Sequence, residues 1–178
     1  VTLFFVTNNS IFPSDEWLNQ FKQFKKVRFI ISLDGVNDVA EFVRYGKKFK
    51  KFEKNYSNWI QLSKTDLTNI KVIPHFVFHA LNCFDLNNTL EWMTQYHDNL
   101  RILSYDFLES PNELSVKYLP NDVKTKILSE NNNFLHDQIE NFLKMSKYDK
   151  EVYNKLKKYC KFLNLRTDLP DICKRVLG

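Results

Sequence analysis

The sequence predicts an α/β fold in which a parallel sheet is followed by a helical C-terminal third. Up to about residue 110, short and almost continuously apolar segments alternate with segments of helical periodicity. This alternation is typical of parallel strands covered by helices on at least one face. From Asn121 onward only the helical periodicity remains. We therefore divide the chain into a β/α region, residues 1–119, and a helical region, residues 120–178.

Four apolar segments are predicted strands: residues 2–7, 27–33, 70–79 and about 101–107. A shorter fifth strand is predicted at residues 114–118. Pro74 is unusual within the third strand, because proline cannot donate a ladder hydrogen bond.

Helices are predicted between these strands. Ser14 can cap the first helix, DEWLNQFKQFKK, which has acidic residues in its first turn and lysines at its end. Two further helices, 36–45 and 47–65, are separated near Gly46, and another is predicted at 88–98. Three tryptophans fall in apolar helical positions and are predicted to lie in the core: Trp17, Trp59 and Trp92.

Composition excludes several classes of protein. With 43% hydrophobic and 26% charged residues, the chain is not broadly disordered, and its three glycines exclude a glycine-rich phosphate loop. No apolar run approaches the roughly 20 residues of a membrane helix, so no membrane partner is expected. The net charge of +5 comes largely from lysine-rich runs, residues 47–54 and 155–161, interleaved with Phe and Tyr. This spacing favours solvated helix faces, with a nucleic-acid surface as the alternative.

The cysteines and histidines give no clear site. Cys83, Cys160 and Cys173 are widely spaced, which favours reduced thiols and a cytoplasmic location over a disulfide framework. His75 and His79 lie four residues apart on the third strand, shortly before Cys83. They are either metal ligands or ordinary strand residues, and the second interpretation is the more economical.

Polar residues follow the predicted strands where ligands collect in parallel α/β folds. Ser32 and Asp34 end the second strand and lie two residues apart, so both are expected to point to the same face. Asn8 follows the first strand and Asn82 the third. These side chains suit hydrogen bonding to a sugar or an amino-acid-like ligand. Equally, they can simply terminate strands and cap helices.

An ordered set of segments resembles radical S-adenosylmethionine proteins, in particular members with a twitch-type C-terminal region. The segments are Thr7-Asn8-Asn9-Ser10, Ser32-Leu33-Asp34-Gly35, Glu41-Phe42-Val43-Arg44, Phe78-His79-Ala80-Leu81-Asn82, the LSVKYLP stretch, and the closing residues 166–172. Each segment is only modestly specific, but their order along nearly the whole chain is more so.

The resemblance implies a partial (β/α) barrel that holds a 4Fe-4S cluster and S-adenosylmethionine. In such proteins the cluster reduces the cofactor to a 5′-deoxyadenosyl radical, which abstracts hydrogen from the substrate. By resemblance, Ser32 would hydrogen-bond the amino-acid or ribose part of the cofactor, and Arg44 would pair with its carboxylate. Asp34, Asn8 and Asn82 would line the same pocket.

The CxxxCxxC cluster motif of the family is absent from this sequence, and its three cysteines have the wrong spacing to replace it. The chain therefore resembles the C-terminal two-thirds of such an enzyme, whose complete form would act on a peptide or small molecule. Alone it is expected to bind no cluster and to be inactive, so we assign no catalytic or metal residues. The alternatives are a non-catalytic binding scaffold and, less favoured, a lysine-rich nucleic-acid binder. The first strand is expected to have an exposed edge, through which the chain could form a homodimer.

Overall fold

A computed structural model describes residues 1–145, 147–164 and 168–177. Its centre is a four-stranded, entirely parallel sheet in the order β1-β2-β3-β4, and these strands do not close into a barrel. The strands are β1 (Thr2–Thr7), β2 (Lys26–Leu33), β3 (Ile70–Phe78) and β4 (Ser104–Phe107). The predicted α/β class and its four parallel strands are confirmed.

The helices account for about half of the chain. They are α1 (Asp15–Phe21), α2 (Asn37–Val43), α3 (Phe49–Lys64), α4 (Leu86–Met93), α5 (Asn121–Glu130), α6 (His136–Lys144), α7 (Lys150–Asn164) and α8 (Asp171–Lys174). The interruption near Gly46 and the helical C-terminal third are confirmed. Among the described residues, no helix is both long and apolar enough to cross a bilayer.

Two predicted elements differ from the structure. The fifth strand is wrong, because Asn112–Leu114 and Val116–Tyr118 form two 3-10 turns. The buried side chain of Val116 packs in the core without pairing to β4. Helix α1 ends five residues early, because the side-chain amide of Asn69 donates to the carbonyls of Phe21 and Phe24, both at 2.8 Å.

Pro74 is accommodated in β3 by its position in the register. It lies opposite Ile31 of β2, whereas pairing with β4 begins one residue later, at His75 and Ser104. The side of β3 that faces β4 therefore requires no backbone donor at Pro74, which lets proline occupy a central strand.

One face of the sheet carries the hydrophobic core. Phe29 of β2 contacts Phe21 of α1 and Trp59 of α3, with ring centroids 5.3 and 4.1 Å apart. At the far edge, Phe107 of β4 stacks on Phe142 of α6 at 4.3 Å, so the C-terminal helices cover the same face. Trp59 and Trp92 are buried as predicted, but Trp17 is largely exposed.

The opposite face keeps part of its surface in solvent. Its side chains come from alternate positions of the four strands: Phe4, Val6, Arg28, Ile30, Ser32, Lys71, Ile73, His75, Val77, Ser104 and Asp106. The chain therefore has a one-sided sheet, whereas parallel sheets are normally covered on both faces.

Within α3 and α7 the lysine-rich runs lie on solvated helix faces, as their spacing predicts, whereas Lys47 precedes α3 and is only partly exposed. In α3, Lys50, Lys51 and Lys54 are exposed while Phe52 and Tyr56 are buried. In α7, the run at residues 155–161 likewise exposes all four of its lysines.

The turn after β2 requires a glycine. Gly35 has a φ of +129°, and a Cβ there would lie 2.7 Å from both Asp85 Oδ2 and Val39 Cγ1. That carboxylate oxygen accepts a hydrogen bond from the backbone N–H of Val36 at 2.9 Å, so it cannot move away freely.

We expect Gly35→Ala to lower the free energy of unfolding by about 3 kcal/mol, because backbone strain and a steric clash add together. Chemical denaturation measures this change. The matched control is Gly46→Ala, since Gly46 also has a positive φ (+83°) but has open space around its Cβ position. That control should cost only about 1 kcal/mol. Equal losses in both variants would show that the Asp85 contact is unimportant.

Candidate functional site

A cleft of about 250 Å³ lies beside the carboxyl end of β1. It is formed by the residues that follow β1 and by the loop between α2 and α3. The lining residues are Asn8, Ser10, Arg44, Tyr45, Gly46 and Lys47. Two sequence-predicted site residues, Asn8 and Arg44, are thus brought together here.

The turn after β1 is fixed to α3 by side-chain amides. Asn9 adopts a positive φ of 58° and donates from Nδ2 to the carbonyl of Phe52 at 2.9 Å. In return, Asn55 Nδ2 donates to the Asn9 carbonyl, also at 2.9 Å. Asn8 Oδ1 accepts from the backbone N–H of Ser10 at 3.1 Å, which closes the turn at the cleft. The position of this cleft wall therefore depends on α3.

An ion pair anchors the arginine of the cleft. Arg44 Nε donates to Asp34 Oδ2, and Asp34 is buried while the Arg44 side chain is about one third exposed. The Asp34 carbonyl accepts from Asn82 Nδ2 at 3.3 Å, and the same Nδ2 donates to Val77 O at 2.9 Å. Asp34, Arg44 and Asn82 therefore form one connected group at the carboxyl ends of β2 and β3.

Lys47 places a second cation beside the cleft, with its ammonium buried. Its Nζ lies 3.8 Å from the centroid of the Phe52 ring and has no hydrogen-bond partner among the described residues. Burial lowers the pKa of this ammonium to about 8, an effect that Asp34 opposes and Arg44 reinforces. Lys47 is therefore mainly charged at neutral pH and loses its charge at moderately alkaline pH.

These groups together suit an anionic ligand. Arg44 and Lys47 contribute two positive charges and Asp34 one negative charge, so this group carries net positive charge when Lys47 is protonated. Asp34 occupies Arg44 Nε, and the guanidinium has no second partner among the described residues. Its terminal N–H groups can therefore pair with a carboxylate or phosphate, the anions that guanidinium geometry matches best.

Ser32 lies apart from this group. It is on the partly exposed face of β2, opposite His75 of β3 in the register. The expectation that Ser32 and Asp34 share a strand face is wrong, because β2 ends at Leu33 and the chain turns at Gly35. Whether Ser32 contacts a ligand stays a prediction.

The two histidines near the third strand have different surroundings. His75 lies on the partly exposed face, with Nδ1 3.1 Å from Ser104 Oγ and Nε2 3.4 Å from Asp106 Oδ2. His79 follows the end of β3 and is buried, and its Nδ1 accepts from the backbone N–H of Leu81 at 3.1 Å. In the described ranges, no three His, Cys, Asp or Glu residues are placed to hold a metal ion.

The cysteines do not suit an iron–sulfur cluster. All three are buried, and Cys83 and Cys173 donate to the carbonyls of Ala80 and Leu81, at 3.4 and 2.9 Å. Burial raises the pKa of each thiol, that of Cys160 to about 11. Cluster ligands are thiolates. The described cysteines are therefore packed thiols.

Sequence reasoning missed the role of Lys47. It assigned this residue to a solvated lysine-rich run, but the ammonium is folded over Phe52. A usable signal is the position of Lys47 directly after Gly46 and before the buried Phe49, outside the regular helical face. The closing segment of the resemblance begins with Arg166 and Thr167, which lie outside the described residues.

Comparisons with protein-family models, with curated proteins and with solved structures found no match. The resemblance to radical S-adenosylmethionine proteins consequently stays a prediction from the sequence.

His79 should make stability fall in mild acid. Burial lowers its pKa to about 4 from an ordinary 6.5, an effect that Asp34 opposes and Arg44 reinforces. The neutral ring therefore contributes fully above pH 6.5, and its contribution disappears as the pH falls toward 4, by about 3 kcal/mol in total. Denaturation of the wild type and of His79→Asn between pH 4 and 7 measures this effect. The variant keeps a hydrogen-bond acceptor for the backbone N–H of Leu81, and its free energy of unfolding should vary less with pH. If the free energies of both proteins varied with pH in parallel, His79 would not be the group responsible.

Proposed function

We propose that this chain binds S-adenosylmethionine through its carboxylate at the cleft of Arg44 and Lys47. The observation that carries the proposal is the Asp34–Arg44 ion pair, which fixes a guanidinium at the cleft while leaving its terminal nitrogens available. A preorganised arginine binds a carboxylate with little loss of side-chain entropy. Asn8 and Ser10 add short polar groups at the rim.

The resemblance supports the choice of this ligand among carboxylates. Arg44, Asp34, Asn8 and Asn82 all come from segments that resemble the family, and three of them belong to one connected group. We also propose that the open four-stranded sheet corresponds to part of a (β/α) barrel. Its parallel strands in sequential order and its helices on one face are consistent with such an arrangement.

In a complete family member, a 4Fe-4S cluster would supply the electron that cleaves the bound cofactor. The residues described here are suited to binding the amino-acid end of the ligand, but they are not suited to binding the cluster. We therefore assign binding to this chain, either as part of a radical S-adenosylmethionine enzyme or as a non-catalytic scaffold. Both interpretations require the same ligand contacts.

A second candidate is a receptor for a different small anion. The charges favour this candidate, because two cations beside one carboxylate can bind any accessible carboxylate or phosphate. Isothermal titration with S-adenosylmethionine, methionine and inorganic phosphate separates the two. Tight binding of the first alone supports the main proposal, and tight binding of phosphate supports the second.

Arg44→Gln should weaken S-adenosylmethionine binding at least tenfold, because it removes a charge-assisted contact worth about 1.5 kcal/mol or more. The matched control is Arg101→Gln, which removes an exposed arginine outside the cleft and should leave affinity unchanged. Thermal melts confirm that both variants fold. Unchanged affinity in folded Arg44→Gln would contradict the proposed site.

Binding should also weaken as the pH rises through about 8, because Lys47 then loses its positive charge. The loss should be severalfold between pH 7 and 9. Lys47→Arg keeps the charge throughout this range, so its affinity should change less. Comparing the two proteins by titration at each pH cancels the titration of the ligand itself. Identical pH profiles would exclude a contact with Lys47.

A further inference from the structure

The edge of the sheet at β1 is unusually unprotected. β1 pairs with β2 on one side, and the described residues provide no strand on the other. Its six residues, TLFFVT, contain no charge and no proline. Natural sheets normally protect an edge strand with charges, proline or a bulge, since free N–H and C=O groups invite pairing with another strand.

Exposed apolar side chains surround this edge. Phe4, Val6, Ile11 and Trp17 are 58, 72, 77 and 61% exposed. The last three also line a groove of about 270 Å³ with Phe5, next to the edge. Four such side chains expose about 400–500 Å² per copy, so two copies could bury about 1,000 Å² including backbone, the lower limit for a specific interface.

The charges of α1 are arranged to match a second copy of the same helix. Asp15 and Glu16 are exposed in its first turn, and Lys22 and Lys25 are exposed at and after its end. None of these four side chains forms an ion pair with another described residue. If two copies meet with α1 antiparallel, the acidic end of each helix lies opposite the basic end of the other.

We propose that two copies of this chain associate by antiparallel pairing of β1 with β1, which creates a continuous eight-stranded sheet. A two-fold axis normal to the sheet keeps equivalent faces together, so each residue lies opposite one from the same face. Pairing centred on the strand places Phe4 opposite Phe4 and Leu3 opposite Phe5. The Phe4 pair then lies on the partly exposed face. Trp17 and Ile11 meet the second copy on the helical face. This inference does not depend on the ligand cleft.

Sedimentation velocity over a range of concentrations tests for the dimer. Phe4→Lys should weaken self-association at least tenfold, because it places two like charges opposite each other at the centre of the pairing. Phe4 is exposed, so folding should survive. The control is Met145→Lys, an apolar position that is 74% exposed and lies at the end of α6, the helix that packs on β4.

Charge reversal on α1 tests the orientation of the two copies. One variant carries Asp15→Lys and Glu16→Lys, and the other carries Lys22→Glu and Lys25→Glu. Each alone should dimerise more weakly than the wild type, and an equimolar mixture should recover a heterodimer, because each acidic segment then meets a basic one. These positions are exposed on the helix, so the variants are expected to fold.

A wild-type chain that remains monomeric at every accessible concentration would overturn the proposal. So would a dimer that Phe4→Lys leaves intact, since another surface must then form it. Failure of the charge-reversed mixture to recover, with weakening by Phe4→Lys, would overturn the antiparallel arrangement. Binding of an added extended peptide at β1 without self-association would assign the edge to a different partner.

Discussion

The contact between Trp59 and Phe29 is the interaction on which the other features depend. With Phe5 and Phe21 it forms an aromatic cluster that holds α1 and α3 against β1 and β2. Burying an aromatic side chain of this size contributes about 2–3 kcal/mol. Because α3 is one continuous helix, fixing Trp59 also fixes Phe52, two turns earlier. Phe52 in turn supports Lys47 with its ring and the turn after β1 with its carbonyl.

Buried polar groups at the carboxyl ends of the strands are mostly satisfied, which makes the exceptions informative. The Asp85 carboxylate accepts a hydrogen bond from the backbone N–H of Val36. Burial raises the pKa of Asp85, while this bond and those from Asn88 and Thr89 oppose the rise. Both polar atoms of the Asn82 side chain form hydrogen bonds. Its Oδ1 accepts from the backbone N–H of His79, and its Nδ2 donates to two backbone carbonyls. Lys47 Nζ and Asn9 Oδ1 have no partner among the described residues. An unpaired buried group costs free energy, so a bound anion at Lys47 would recover part of that cost.

The one-sided arrangement of helices leaves the second face of the sheet partly exposed. Helices α1, α3 and α6 cover one face, and the other keeps a mixture of apolar and polar side chains. The His75 hydrogen-bonded group lies on that second face, near β4. The proposed ligand cleft lies at the carboxyl end of β1, whereas the edge proposed for pairing runs along its length. Ligand binding and association of two copies can therefore be tested separately.

The sequence by itself determined the four parallel strands, the break at Gly46 and the helical C-terminal third, although it also predicted a fifth strand that does not form. These depend on apolar periodicity and on glycine, both of which act over a few residues. It also indicated that Asn8, Asp34 and Asn82 lie at one edge, since the carboxyl ends of parallel strands meet there. The tertiary structure alone decided the burial of the Lys47 ammonium, the exposure of Trp17 and the end of α1 at Phe21. The end of α1 depends on Asn69, which is 45 residues beyond Phe24. Local patterns specify neither which distant segments come into contact nor which side chains the rest of the fold leaves exposed.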